Sequence, residues 1–306
     1  MKPASFTHHR PDSVDTAVSL LETHDSATLL AGNQSLGIAM AKRQETPDHL
    51  IDLNGIDELA YIETTADAVT IGAMTRHRTI ERSDRLAKCL PLLPDAGGKI
   101  AGPSVRNRGT IGGSLGNADP AANFPAALTA LGGTITLRST EGSRTVDADA
   151  FFIDDGTTAC RADELIESVS VPREPFPADR TGMAFVRLKR VAQKWPIVSA
   201  ATAIRVDDPG ADTPIVDAAR IALSNTAPVP LRVPEAESIL AGNALTDSLL
   251  EDVAAVVMDA TDPIDEMHAD PAYRRDVAGE YTRRSLEQSY ARARGIDEAD
   301  VPWTEH

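Results

Sequence analysis

The sequence predicts an α+β fold, in which a β/α opening gives way to mixed structure and then to antiparallel strands followed by helices. Three observations carry this: the order of the apolar patterns, a stretch at 97–116 too rich in glycine to be regular helix over its length, and three prolines within 172–182 that read as a domain junction. No fixed-period repeat is visible. With 306 residues, 42% of them apolar, the chain can bury two or three packed cores.

The elements follow in order. Asp12 or Ser13 caps a helix with the stripe Val14, Ala17, Val18 and Leu21. A strand over 27–31 ends at Gly32-Asn33, a helix covers 36–43, and a strand 49–53. Short strands at 61–64 and 69–73 precede a helical stretch at 79–92. Beyond the glycine-rich centre come a short helix at 125–131 and strands at 134–137 and 164–171. After the junction, strands at 183–188, 197–206 and 219–223 lead into helices whose clearest members are 249–258 and 278–293.

Charge and composition exclude several functions. The net charge of -16 leaves no basic excess to bind a nucleic-acid backbone. Only 6 lysines stand against 24 arginines, and 29 aspartates against 17 glutamates, a profile of short hydrated carboxylates that fits a salt-adapted, halophilic cytoplasm, with an acidic mesophilic protein as the alternative. No apolar run approaches the roughly 18 residues of a membrane span, and the polar opening segment does not read as a secretory signal. Cys89 and Cys160 are too few for a cluster or a disulfide scaffold. The histidines, including His8, His9 and His24, lack metal-site spacing, and His49 and His77 read as surface or packing residues.

Two glycine-bearing segments remain. In Leu30-Ala-Gly-Asn-Gln-Ser-Leu36, a strand hands over to a helix. The amides of residues 33–36 and the Ser35 hydroxyl could converge on a phosphate; a plain strand–helix turn is the alternative. In Arg108-Gly-Thr-Ile-Gly-Gly-Ser-Leu-Gly-Asn-Ala-Asp-Pro120, glycines at 109, 112, 113 and 116 imply backbone passing close to a ligand or to another backbone. Asp119 either accepts from a sugar hydroxyl or caps the next helix. Neither segment is a Rossmann or P-loop motif. As a pair they could cradle a dinucleotide diphosphate without lysine.

The runs LLAGNQSLGIAMAKR (29–43) and RNRGTIGGSLGNADPAANFPAAL (106–128) resemble the two pyrophosphate loops in FAD subunits of molybdenum hydroxylases, the family of carbon monoxide dehydrogenase and xanthine dehydrogenase. FFIDDGTTACRADELIESVSVP, FVRLKR, ARIALSNTAPVPLRVPEAESIL and YRRDVAGEYTRRSLEQ resemble later blocks, so the likeness covers nearly the whole chain. It implies a two-subdomain FAD-binding domain at 1–177, divided near 56, a small C-terminal α+β domain at 178–295 and a polar tail at 296–306. It places Ala31, Gly32, Asn33, Gln34, Ser35 and Leu36 at the pyrophosphate, with Thr110, Gly113 and Ser114 opposite. Asp119 and Asn123 fall near ribose or adenine, Ile100 over the adenine, Ile166 beside the isoalloxazine, and Arg187 at a position commonly lysine.

The resemblance further implies a molybdopterin-binding large subunit that oxidises the substrate and a 2Fe-2S small subunit that feeds electrons to FAD. An external acceptor and a dimer of heterotrimers complete the picture. No side chain of this chain is assigned as catalytic, and none as a metal ligand. Asn33 for the commoner glycine, Asn123 for aspartate, and Asp154 at a usual glycine depart from the family pattern; Asp154 and the run 191–198 leave the flavin edge open. Two rivals stand: a self-contained flavin oxidoreductase, which should carry a larger substrate region, and an assembly protein that keeps the fold without FAD.

Overall fold

The computed structural model describes residues 2–191, 194–265 and 269–296. Met267, which the sequence reads as a core candidate in the helical tail, and nearly all of the expected polar tail therefore lie outside the described residues.

The opening β/α reading holds. Strand β1 (Thr7–His9) leads to helix α1 (Val14–Thr23), β2 (Ala27–Leu30), α2 (Leu36–Lys42) and β3 (His49–Asp52). The strands form a parallel sheet in the order β1-β3-β2. Ser13 is the N-cap of α1, accepting from the Thr16 amide, and Val14, Ala17, Val18 and Leu21 are its buried residues. They pack on Ile51, Leu53 and Leu59. Strand β1 is polar and short, which is why no apolar pattern announces it.

The fold brings together three histidines that lie far apart along the chain. Thr7 pairs with His49 in the parallel register, so His9, two residues on, shares the face of His49. His24 caps the C-terminal end of α1 and stacks on His49, with ring centroids 3.8 Å apart. Residues 9, 24 and 49 thus meet through topology, which spacing along the chain does not reveal. Burial and the neighbouring imidazoles of His24 and His49 hold His9 below the usual histidine range.

The second sheet runs β4-β5-β10-β6-β7. It is built from β4 (Ile62–Thr64), β5 (Ala68–Gly72), β6 (Thr134–Ser139), β7 (Gly142–Asp147) and β10 (Leu165–Pro172), with β8 (Phe152–Asp154) and β9 (Thr157–Thr158) forming a small hairpin. Helices α3 (His77–Glu81), α4 (Asp84–Cys89), α5 (Leu92–Gly98), α6 (Pro103–Arg106), α7 (Ile111–Asn117), α8 (Asn123–Leu131) and α9 (Ala148–Phe151) lie between the strands in sequence. The single helical stretch expected at 79–92 is divided. Ser83 starts a new helix by accepting from the Leu86 amide, and Pro91 precedes the next.

The third sheet, β11-β12-β13-β14, is antiparallel and consists of β11 (Thr181–Leu188), β12 (Val198–Val206), β13 (Val216–Ser224) and β14 (Leu231–Arg232). Helices α10 (Pro234–Leu240), α11 (Asp247–Ala260) and α12 (Pro271–Ala293) follow. Helix α12 begins well before residue 278 because Asp270 caps it and Pro271 occupies its first position. It lies on β11 and β12, where the Thr202 hydroxyl meets Ser285 and Ser289 at 2.7 and 2.6 Å. Among the described residues, no helix is long and apolar enough to cross a membrane.

The sheets meet at a polar seam. Asp95 on α5 lies 3.0 Å from both Lys99 and Arg292 and accepts the Phe185 amide at 3.0 Å. Burial raises the Asp95 pKa, but Lys99 and Arg292 outweigh it and leave the carboxyl below its ordinary value. The Lys99 ammonium also donates to the Phe185 carbonyl.

Candidate functional site

The two glycine-bearing segments lie against each other. A Cβ on Gly32 would stand 2.5 Å from the Arg108 carbonyl oxygen and 2.7 Å from the Gly109 Cα. One on Gly113 would stand 3.4 Å from the Ala31 Cβ. Gly32 and Arg108 are 76 residues apart in sequence, yet at Gly32 the two backbones approach closer than any side chain would allow, which is why glycine occupies that position; Gly113 meets the first turn only at ordinary contact distance.

The first turn is open. Asn33 adopts φ 58°, the left-handed conformation its side chain tolerates. Among the described residues, the amides of Asn33, Gln34, Ser35 and Leu36 meet no protein acceptor, and the Ser35 hydroxyl makes no capping bond. The Gln34 side chain folds back, donating to the Gly32 carbonyl at 2.9 Å, while Asn54 donates to the Ala31 carbonyl at 2.9 Å. Leu36 opens α2.

The second segment differs from the expected loop of free amides. It is helix α7, and its donors are engaged. Ile111 N–H donates to Thr75 O at 3.1 Å, Gly112 to Ala73 O at 2.8 Å, Ser114 to Thr110 O at 3.0 Å and Gly113 to the Thr110 hydroxyl oxygen at 3.1 Å. Glycine at 112 lets the helix press on the strand end, since a Cβ there would lie 2.6 Å from the Ala73 Cβ. Of the two hydroxyls on this side, that of the buried Thr110 accepts the Gly113 amide and that of Ser114 is half-buried, while the unengaged backbone amides belong to the first turn.

Several side chains invisible to motif reading hold this arrangement. His77 is buried, donates from Nε2 to the Thr110 carbonyl at 2.8 Å, and packs edge-on against Phe124. Burial depresses its pKa to about 4, so the ring is neutral near pH 7. Arg106, also buried, donates to Glu81 at 2.9 Å and to the carbonyls of Ile100 and Ala101 at 2.9 and 3.2 Å, tying the strand of chain before α7 to α3. Arg76 joins Asn54 at 2.5 Å and the Arg108 carbonyl, bridging the two turns from outside.

The other predicted positions separate into groups. Ile166, on β10, reaches the Gly116 side of α7, 3.6 Å from where a Cβ would stand. Ile100 is half-buried after α5, next to Lys99, whose carbonyl accepts from Lys189 at 3.2 Å. Arg187 lies between Phe185 and Lys189 in β11 and β11's end, half-buried opposite Ser199. Asp119 accepts from the Ala121 amide at 2.9 Å, a turn bond ahead of α8, whose N-cap is Ala122 and has no side-chain capping bond. Asn123 is turned inward: it is 4% exposed and donates its amide nitrogen to the Ala96 carbonyl of α5 at 2.8 Å.

Asp119 lines a cavity of about 420 Å³ shared with Trp195, Asn225 and Arg274 of the C-terminal sheet and helices. Asn225, at φ 63°, receives its geometry from both sides, donating its amide to Pro120 O at 2.7 Å and its side chain to Pro196 O at 2.9 Å. The buried Arg274 fixes the wall through the carbonyls of Ile197 and Asn225 at 3.2 and 3.1 Å.

Residues 4–174 match the family described as the FAD binding domain in molybdopterin dehydrogenase, and residues 183–289 the CO dehydrogenase flavoprotein C-terminal domain. The chain is 36% identical to the carbon monoxide dehydrogenase medium chain of Hydrogenophaga pseudoflava, covering 95% of this chain and 99% of that one. It is 34% identical to the nicotine 6-hydroxylase medium subunit of Paenarthrobacter nicotinovorans, over 95% of this chain and 100% of the relative. Its backbone superimposes on the carbon monoxide dehydrogenase of Hydrogenophaga pseudoflava with a TM-score of 0.90 at 37% identity, covering 95% of this chain and 99% of that one. For quinoline 2-oxidoreductase from Pseudomonas putida 86 the TM-score is 0.88 at 28% identity, covering 96% and 100%.

Proposed function

The chain belongs to the FAD-binding medium subunits of the carbon monoxide dehydrogenase/xanthine dehydrogenase family of molybdenum hydroxylases, and from that premise we propose how its own residues hold the cofactor and which partners it serves. The observation that carries the proposal is the meeting of Gly32 with the 108–109 backbone beside a turn whose amides at 33–36 meet no protein acceptor. Such a cradle fits a diphosphate: backbone donors supply attraction in a chain of net charge -16, where the field of the whole molecule opposes an anion.

On this reading Asn33, Gln34, Ser35 and Leu36 donate main-chain hydrogens to the pyrophosphate, and Thr110 and Ser114 add hydroxyls. Ala31, Gly32 and Gly113 let the backbones close. Ile166 forms an apolar wall and Ile100 and Arg187 belong to the far end, while Asp119 stands at the cavity mouth. His77 and Arg106 are positioning residues that keep the second segment in register. FAD supplies the redox chemistry, and the protein supplies placement, polarity and exclusion of water. No acid–base or nucleophilic role falls to this chain.

We further propose that a molybdopterin subunit oxidises the substrate and a 2Fe-2S subunit connects it to this chain's FAD, within a dimer of heterotrimers that passes electrons to an external acceptor. The domain boundary falls at 177/178, with the N-terminal part divided near 56. The two unpaired cysteines suit a reducing cytoplasm. Purification of the chain with its neighbours tests the assembly. Flavin absorbance together with molybdenum, iron and two further chains is the expected result; a colourless chain that elutes alone supports the assembly-protein rival.

A further inference from the structure

We propose that His9, His24 and His49 form a binding site for a divalent transition metal of zinc type, separate from the flavin site. The three residues come from the edge strand β1, the C-terminal end of α1 and the central strand β3, and all are partly exposed. Each offers a ring nitrogen, and these nitrogens all lie within 4.8 Å of one another. His9 Nε2 and His49 Nδ1 are 2.9 Å apart, sharing a proton. Two imidazole nitrogens bonded at about 2.0–2.1 Å to one tetrahedral ion stand roughly 3.3 Å apart, so the pair has only to open by about 0.4 Å to admit one. The ring of His24 lies nearly parallel to that of His49, at 8°, and His9 stacks on each at 5.2 Å.

The donor set decides the class of ion. Three neutral imidazoles suit Zn²⁺, Ni²⁺ or Cu²⁺, whereas Ca²⁺ and Mg²⁺ demand oxygen ligands. Water would complete a tetrahedron. His8 faces the other way, 3.4 Å from Asp52, and is no member of the set. A bound ion would pin the edge strand and the end of α1 to β3, tying down three elements of the first sheet.

Calorimetric titration of the full untagged, FAD-loaded chain with ZnCl₂, in a buffer that does not chelate, tests the proposal. One ion per chain should bind, Mg²⁺ should not compete, and His24→Ala and His49→Ala should each weaken binding by at least about tenfold, the loss that removal of even an outer-shell partner causes. Retained flavin absorbance shows that the variants fold. A second arm uses Cu²⁺ and electron paramagnetic resonance: hyperfine splitting from three imidazole nitrogens is expected. Zinc affinity equal in parent and His24→Ala, no binding in either, or a copper signal with a single nitrogen would overturn the site.

Discussion

Replacing Gly32 by alanine is the sharpest perturbation of the cradle. Gly32 is not in the left-handed region, so the added Cβ is the whole change. It would meet the Arg108 carbonyl oxygen at 2.5 Å, the Gly109 Cα at 2.7 Å and the Arg108 carbonyl carbon at 3.0 Å. Ordinary contact lies near 3.5–4.0 Å, so the two backbones must separate by about 1 Å. No side-chain rotation relieves the overlap, because every opposing atom is main chain. Overpacking of this kind costs about 1–3 kcal/mol. On the proposed reading, in which this contact is the cofactor cradle, the cost appears in FAD affinity as roughly a 5- to 150-fold loss at 1.4 kcal/mol per tenfold. Titration of the deflavinated chain, followed by flavin fluorescence, measures it. Gly116→Ala is the contrast, because its Cβ would rest at an ordinary 3.6 Å from Ile166 Cδ1 and should leave chain stability unchanged or higher. If Gly32→Ala binds FAD within about twofold of the parent, the closeness of the turns has no bearing on the cofactor.

Three further outcomes follow from the geometry. With its pKa depressed to about 4, His77 stays neutral in the folded chain while the unfolded chain takes up a proton below about 6.5. Its contribution is therefore complete above pH 6.5 and is lost as the pH falls toward 4, to a total of about 3 kcal/mol; urea unfolding across this range should show the slope, and His77→Phe should flatten it. A parent and variant of equal slope would refute the assignment. Asp95→Asn strips the seam of the charge facing Lys99 and Arg292, and should cost about 2–3 kcal/mol, less than a fully buried pair because all three side chains keep some solvent contact. Denaturation within about 0.5 kcal/mol of the parent would remove the seam from the account. Thr110→Val keeps the shape but loses the acceptor for the Gly113 amide and one hydroxyl donor. It should lower thermal stability by the roughly 0.5–2 kcal/mol of an N-cap and weaken FAD as well; a loss of stability alone would confine Thr110 to capping.

Much of the fold is legible because local rules and tertiary demands agree. Ser13 and the Val14, Ala17, Val18, Leu21 stripe specify α1 directly, and Asn33 forecasts a left-handed turn that the backbone adopts at φ 58°. What escaped the sequence depends on partners distant along the chain. Helix α7 persists despite glycines at 112, 113 and 116, and at Gly112 it is Ala73 that needs the space, so tertiary packing overrides a poor helical propensity. Asn123 reads as a ligand, and its bond to the Ala96 carbonyl comes from a partner distant along the chain. His77 carries no motif, and its bond to Thr110 appears only once α3 and the second segment are in contact. The cluster of His9, His24 and His49 likewise needs the parallel register of β1 and β3.

The most direct test sets FAD against riboflavin on the same deflavinated chain. Riboflavin carries the isoalloxazine but neither phosphate, so a cradle built at Gly32–Leu36 and Thr110–Ser114 should take up FAD at one per chain and bind riboflavin far more weakly. Equal uptake of the two, or uptake of neither, would contradict a site founded on the diphosphate.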